Sequence, residues 1–284
     1  MVILKSHFQI HYFQEFKVGF FKMKNYLIDT HAHLDFPELY NRLDEVLKNA
    51  LENGVKRIVT ISTTLNKIDK IIEISKNYEE VYHTVGVHPN EVLKDKNNSN
   101  YEMILNLSKN EKCVGIGECG LDYHYGKDSK AEQKASFITQ IDVSRATNLP
   151  LIIHARDADK DMINILENEY KNGPFKAILH CFSSGKDLAL CGLNLGFYIS
   201  FSGIVTFKSA KLIQEIATLI PDDKILVETD APYLSPTPLR GSVNEPKNCS
   251  ITAKYLADIR KCDFSKFIDQ LYMNSFKIFD KISK

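Results

Sequence analysis

The chain has no net charge: Lys plus Arg and Asp plus Glu both number 36 among 284 residues. A balanced chain exerts no overall pull on nucleic acid or on a membrane surface, so any contact with a polyanion must be local. It also has no C-x-x-C pair. Its six cysteines, at 113, 119, 181, 191, 249 and 262, are scattered, which excludes a disulfide framework and fits reduced, mostly buried thiols in the cytoplasm or nucleus. No apolar run approaches the roughly 18–20 residues of a membrane span, so no membrane partner is expected. There is no internal repeat, and the only low-complexity stretch is the polar segment Lys94–Asn100, expected to be a surface loop. Residues 1–24 are rich in Phe and Lys but lack a clean apolar core, a cleavage site and any arginine. They are expected to be an N-terminal extension, either a disordered or docking segment or a signal for secretion or an organelle.

What is present is alternation. From residue 25 to 284, short β-rich runs are interleaved with longer stretches of helical apolar spacing. Eight strands are predicted: Tyr26–Thr30, Arg57–Ser62, Val81–Val87, Cys113–Glu118, Pro150–His154, Lys176–His180, Gly196–Phe201 and Lys224–Thr229. Ala131, Ala135, Ile138, Ile141 and Ala146 mark a helix before the fifth strand, and Ile163, Leu166 and Tyr170 another before the sixth. Two more helices, around Ser250–Lys261 and Asp263–Asp280, close the chain. The count and length predict a single-domain (β/α)8 TIM barrel. A doubly wound open sheet is the fallback, but it would not bring strands 1, 4, 5, 6 and 8 together.

Those five strands matter because His31, His33, Glu118, His154, His180 and Asp230 each stand at or just beyond the end of one. In such barrels the chemistry sits at the C-terminal ends of the strands. Six ligands of these types can hold two divalent cations about 3.5–4 Å apart, the spacing used for two-metal hydrolysis. His31 and His33 are two apart in extended chain and so face one side. A carboxylate at Glu118 must be paired or metal-bound to offset its desolvation, and Gly115, Gly117 and Gly120 around it allow close approach of other groups. His154 and Arg156 share a parity, and the guanidinium offers a planar fork for phosphate. A regular sixth strand turns Cys181 toward the helices as a buried thiol rather than a nucleophile. Glu228 lies one layer below Asp230, as a partner for an arginine or a ligand histidine. The loop S-P-T-P-L-R-G-S-V-N-E-P carries Arg240 toward the mouth.

The strings D-T-H-A-H-L-D-F, G-V-H-P, G-I-G-E-C-G-L-D-Y, I-H-A-R-D-A, L-H-C-F-S, S-F-S-G-I-V-T-F-K, E-T-D-A-P-Y-L and R-G-x-x-N-E-P occur in that order. Together they resemble the TatD family of metal-dependent deoxyribonucleases, within the amidohydrolase-like barrels, from about Tyr26 to the C-terminus. The resemblance implies that His31, His33 and Asp230 hold one metal, that Glu118 bridges, and that His154 and His180 hold a second. Departures are small: Cys119 stands where an aliphatic residue is frequent, Ala155 where serine is, and Ser183-Ser184 varies the turn after H-C-F. The catalytic expectation falls on Asp230 and Glu118, with substrate contacts from Arg156, Arg240, His88 and Asp122. The metals expected are Mg2+, Mn2+ or Zn2+.

The activity implied is hydrolysis of DNA phosphodiester bonds with 3'-5' exonuclease character, acting on single strands or ends. Asp230 would orient the attacking water and accept its proton, and a monomer is expected. Two other readings compete: a two-metal hydrolase of small esters, amides or phosphate esters, and a non-catalytic metal-stabilised scaffold.

Overall fold

A computed structural model describes residues 26–95 and 100–283. The predicted N-terminal extension and part of the predicted 94–100 loop lie outside the described residues. Eight strands form one sheet in sequential order, every neighbouring pair parallel. They are β1 (Leu27–Ala32), β2 (Val55–Thr60), β3 (Val81–Val85), β4 (Cys113–Asp122), β5 (Leu151–Arg156), β6 (Ala177–Leu179), β7 (Tyr198–Phe201) and β8 (Ile225–Val227). Ten α-helices are described: α1 (Pro37–Tyr40), α2 (Leu43–Glu52), α3 (Ile68–Asn77), α4 (Tyr101–Leu107), α5 (Lys130–Thr147), α6 (Asp159–Asn172), α7 (Lys186–Asn194), α8 (Lys211–Leu219), α9 (Cys249–Arg260) and α10 (Phe264–Ile278). Among the described residues, no helix is long and apolar enough to cross a membrane.

The sheet curls until its first and last strands meet. The His33 N–H donates to the Ala231 carbonyl (2.7 Å) and the Asp230 N–H to the His31 carbonyl (2.9 Å). Below this seam the buried Asp29 carboxylate accepts from the Thr229 N–H (2.9 Å) and hydroxyl (2.5 Å). Thr30 reaches inward to the Val227 carbonyl (3.0 Å). A register shift in β1 between Asp29 and Ala32 lets the adjacent His31 face inward as well.

All eight strands contribute to an apolar plug in the lower barrel, including Ile28, Tyr82, Ile152 and Leu226, and the C-terminal residues Phe276, Phe279 and Ile282 seal it. A second, larger cluster joins the outer strand faces to the helices. The predicted boundaries shift where pairing overrides local pattern. Strand β4 runs four residues beyond Glu118, and β5 runs on to Arg156, because Gly120, Leu121 and Asp122 pair with His154, Ala155 and Arg156. Gly120, at φ +132°, is required there, since a Cβ would sit 2.1 Å from the His154 carbonyl oxygen.

Helix α5 departs from its predicted face. Its buried residues include Gln133, Phe137, Gln140 and Ile141, whereas Ala131 is exposed and Ile138 only half-buried. The two glutamines belong inside because they satisfy loop backbone. Gln140 accepts from the Val87 N–H and donates to its carbonyl, both at 3.0 Å. Gln133 accepts from the Asp122 N–H (2.9 Å) and donates to the carbonyls of Asp122 (3.0 Å) and Gly126 (3.1 Å).

Candidate metal centre

The barrel mouth opens into a cleft of about 1200 Å³ whose lining includes His33, His88, Glu118, His154, His180 and Asp230. Glu118 occupies the middle, and its two oxygens face different groups. Oε2 lies 3.4 Å from His31 Nε2 and 3.9 Å from His33 Nε2. Oε1 lies 2.8 Å from His180 Nε2, 3.0 Å from His154 Nδ1 and 3.5 Å from His88 Nε2. Asp230 Oδ1 completes the first group, 3.6 Å from His31 Nε2 and 3.4 Å from His33 Nε2. All six predicted ligands therefore converge, although they are contributed by five strands.

The donor atoms suit a cation. Neither ring nitrogen of His31, nor Nε2 of His180, makes an aligned hydrogen bond although all three are buried, and the two Nε2 atoms instead face the Glu118 carboxylate at 3.4 and 2.8 Å. Unpartnered buried nitrogens are costly unless something else occupies their lone pairs. Three overlapping sets have ligand atoms close enough to share an ion: His31, His33 and Glu118; His31, His180 and Asp230; and His88, Glu118 and His154. Imidazole with carboxylate is a donor set for divalent ions of the zinc and manganese type.

The electrostatics agree. Burial pushes the Glu118 carboxyl up, but His180, His88 and His154 outweigh it and hold the group well below the ordinary carboxylate range. Burial pulls His180 down, yet Glu118 and Glu228 raise it well above the usual imidazole value. His33 is likewise raised, because its bond to Asp230 overcomes desolvation. Protons that these histidines hold are what a bound cation displaces.

The partners behind the ligands are specific. Glu228 is fully buried and accepts from His180 Nδ1 (3.2 Å) and from the Cys181 N–H (2.7 Å), the role expected of a carboxylate one layer below Asp230. The Asp122 carboxylate is occupied by protein groups: His154 Nε2 at 3.2 Å, Asn90 Nδ2 at 3.1 Å, and the N–H groups of His124 (3.0 Å) and Tyr125 (2.9 Å). It thus fixes His154 and the turn after β4, where a direct substrate contact was expected. His88 Nδ1 accepts from the Asn90 N–H (3.1 Å), which leaves the proton of the neutral ring on Nε2, pointing at the site as a donor. Burial lowers its pKa to about 3, so the ring stays neutral.

Cys181 departs from expectation. Strand β6 ends at Leu179, the backbone at Cys181 is left-handed (φ 42°), and the side chain joins the cleft lining instead of turning to the helices. Burial and the charges of Asp230 and Glu228 raise the thiol far above its ordinary value, so it is not a nucleophile. Asp230 is also left-handed (φ 59°), an uncommon conformation that gathers at functional positions. Arg156 lines the cleft, its guanidinium 4.7 Å from the Tyr125 ring centroid. Arg240 is seated 3.7 Å over Phe207 on the loop after β8, and it is not among the residues that line the cleft.

Comparison with known proteins shows the family. The model of a family described as TatD related DNase matches residues 28–280. The chain belongs to the TatD family. A relative from Bacillus subtilis, the uncharacterized metal-dependent hydrolase YabD, is 38% identical over 253 residues, covering 89% of this chain and 98% of the relative. The Escherichia coli K12 protein YcfH, described in the same terms, is 39% identical over 238 residues, 83% of this chain and 88% of its own. Among solved structures, the Escherichia coli TatD homolog YjjV superposes with a TM-score of 0.83 at 24% identity, covering 89% and 98% of the two chains. A TatD family hydrolase from Entamoeba histolytica gives 0.80 at 25% identity, covering 91% and 99%. The protein is a TatD-family metal-dependent hydrolase with a cluster of His, Glu and Asp side chains at its barrel mouth that could hold a metal ion.

Sequence reasoning gave no role to Tyr125, three residues past Asp122, or to Tyr233, three past Asp230. Both line the cleft. The available signal was an aromatic side chain on a loop immediately after a ligand strand.

Proposed function

We propose that the protein is a deoxyribonuclease that hydrolyses DNA phosphodiester bonds with two divalent cations, removing nucleotides from the 3' end of single strands or frayed ends as a monomer. The observation that supports this most is Glu118, whose two oxygens address two separate groups of histidines. His31, His33 and Asp230 would hold one cation and His154 and His180 a second, with Glu118 offering a carboxylate oxygen to each group.

Cations bound there would polarise the phosphoryl oxygens and lower the pKa of a coordinated water from 15.7 toward about 7. The chain supplies the rest. Burial raises the Asp230 carboxyl, but His33 and His31 outweigh it and keep it ionised, ready to orient the attacking water and accept its proton. His88 donates from Nε2 to an oxygen at the reacting phosphate. Arg156 offsets the charge that grows as phosphorus is attacked in line, and Arg240 meets the backbone farther along the strand.

The test is hydrolysis of end-labelled single-stranded DNA, first with chelator and then with Mg2+, Mn2+ or Zn2+ restored. Metal-dependent release of nucleotides from the 3' end is expected. No cleavage with any metal, from protein that binds divalent ions, would overturn the reading.

One observation favours a second reading, a hydrolase of small esters or phosphate esters. Arg156 is the only Arg or Lys among the described residues lining the cleft, which is modest for a polyanion site. Competition between a short oligonucleotide and small esters separates the two.

A further inference from the structure

The cleft is larger than the cation cluster needs, and its walls carry two exposed aromatic rings attached to opposite halves of that cluster. Tyr125 is 70% exposed, yet its backbone is held firmly. Its N–H donates to Asp122, the carboxylate that also bonds His154, and Gln133 ties down the same turn through the Asp122 and Gly126 carbonyls. Tyr233 is 53% exposed and lies at the other half. Its N–H donates to the Asp230 carbonyl (2.9 Å), and its ring meets Phe36 edge-on at 5.9 Å. Phe36 in turn stacks on His33 at 5.0 Å.

Leaving a large ring in water on a rigid support forgoes burial that a loop could otherwise arrange. The two rings are thus presented at fixed positions, one beside each half of the candidate metal centre. The guanidinium of Arg156 above Tyr125 makes a mixed cation–aromatic surface on one side. On the other side Tyr233 meets Phe36, and the cleft lining also includes the apolar Ile204 and Leu212. Flat, sequence-independent surfaces of this kind take nucleobases, because every base has a π-face.

We infer that Tyr125 and Tyr233 are base-stacking platforms that receive the nucleobases on either side of the scissile phosphate. The inference rests on the deoxyribonuclease reading and extends it by naming the specificity-determining residues. A base must leave its own stack to lie on such a ring, so the platforms select unstacked strands and frayed ends over intact duplex. They also position the phosphate, since anchoring a base on each side centres the linkage over Glu118.

The experiment uses the full chain reconstituted with divalent metal and two end-labelled oligonucleotides of one length. One is an ordinary single strand and the other an all-abasic tetrahydrofuran backbone. Wild type should show kcat/KM lower on the abasic strand by a factor on the order of 10 to 100. Tyr125→Ala and Tyr233→Ala should each lose a factor on the order of 10 on the ordinary strand, mainly in KM, and nothing on the abasic one. Tyr125→Phe and Tyr233→Phe should restore wild-type behaviour, since stacking does not need the hydroxyl. If both alanine variants match wild type on the ordinary strand, or lose equally on both strands, the platforms are overturned while the nuclease reading stands. Wild type that leaves both strands intact would overturn the nuclease reading and the platforms with it.

Discussion

The two ends of the barrel are built from the same strands and obey opposite rules. At the lower end, Ile152, Ile178 and Leu226 pack into an apolar plug closed by Phe276, Phe279 and Ile282. Two residues farther along the same strand faces stand His154, His180 and Glu228, and with them come unpartnered nitrogens, strongly displaced pKa values and left-handed backbone at Asp230 and Cys181. A period of two carries each strand from core to chemistry within about 7 Å. The lower end supplies stability that lets the upper end hold buried charged groups and uncommon backbone.

Substitutions at the two ends should therefore separate activity from stability. The largest effect is expected at Glu118. Glu118→Ala should lower hydrolysis by more than about 100-fold, beyond what partners behind the ligands usually cost. Near-normal turnover would break the contrast.

At the plug, Phe279→Ala removes a fully buried ring and should destabilise by about 3–5 kcal/mol, with unchanged activity per folded molecule. Denaturant unfolding and titrated active-site measurements on the same preparation check both halves of that statement.

The helix layer provides a titration independent of the mouth. His83 on β3 is buried, bonds Ser75 at 2.8 Å, and has its pKa lowered from 6.5 to about 4, by burial first and then by Lys281 and Lys112. The folded state holds it neutral while the unfolded chain protonates it. Its contribution is thus present above pH 6.5 and lost as pH falls through about 4, at most about 3 kcal/mol. Unfolding curves between pH 7 and 4 should flatten by that amount in His83→Leu. An unchanged slope would contradict the assignment.

The smallest effect is expected at Glu228→Gln, which loosens His180 without removing a ligand. A 10- to 100-fold loss in metal affinity or activity is expected, measured as the metal concentration giving half-maximal rate. No shift in that concentration would show that His180 is fixed by packing alone.

The convergence of the six candidate ligands was legible because a barrel strand end leaves few uses for a histidine or a carboxylate, and the eight-stranded barrel followed from alternation together with that convergence. What was not legible depended on partners remote in sequence. The buried face of α5 was misjudged because Gln133 and Gln140 are polar by composition but serve as backbone substitutes for loops 11 and 53 residues away. Cys181 joins the cleft lining because β6 stops at Leu179, one residue short of the expected end at His180, so strand parity no longer governs position 181. Asp122 looked like a substrate group because its four protein partners become neighbours only when β4 pairs with β5.

The central claim is that Glu118 joins two cation sites at the barrel mouth. The most direct measurement is metal stoichiometry by calorimetric titration of Mn2+ into metal-free wild type and Glu118→Ala, read alongside hydrolysis of single-stranded DNA. Two ions per chain are expected in the wild type, with activity appearing as the second binds, and at most one ion with no activity in the variant. Two ions bound equally well without Glu118, or hydrolysis that survives chelation, would contradict it.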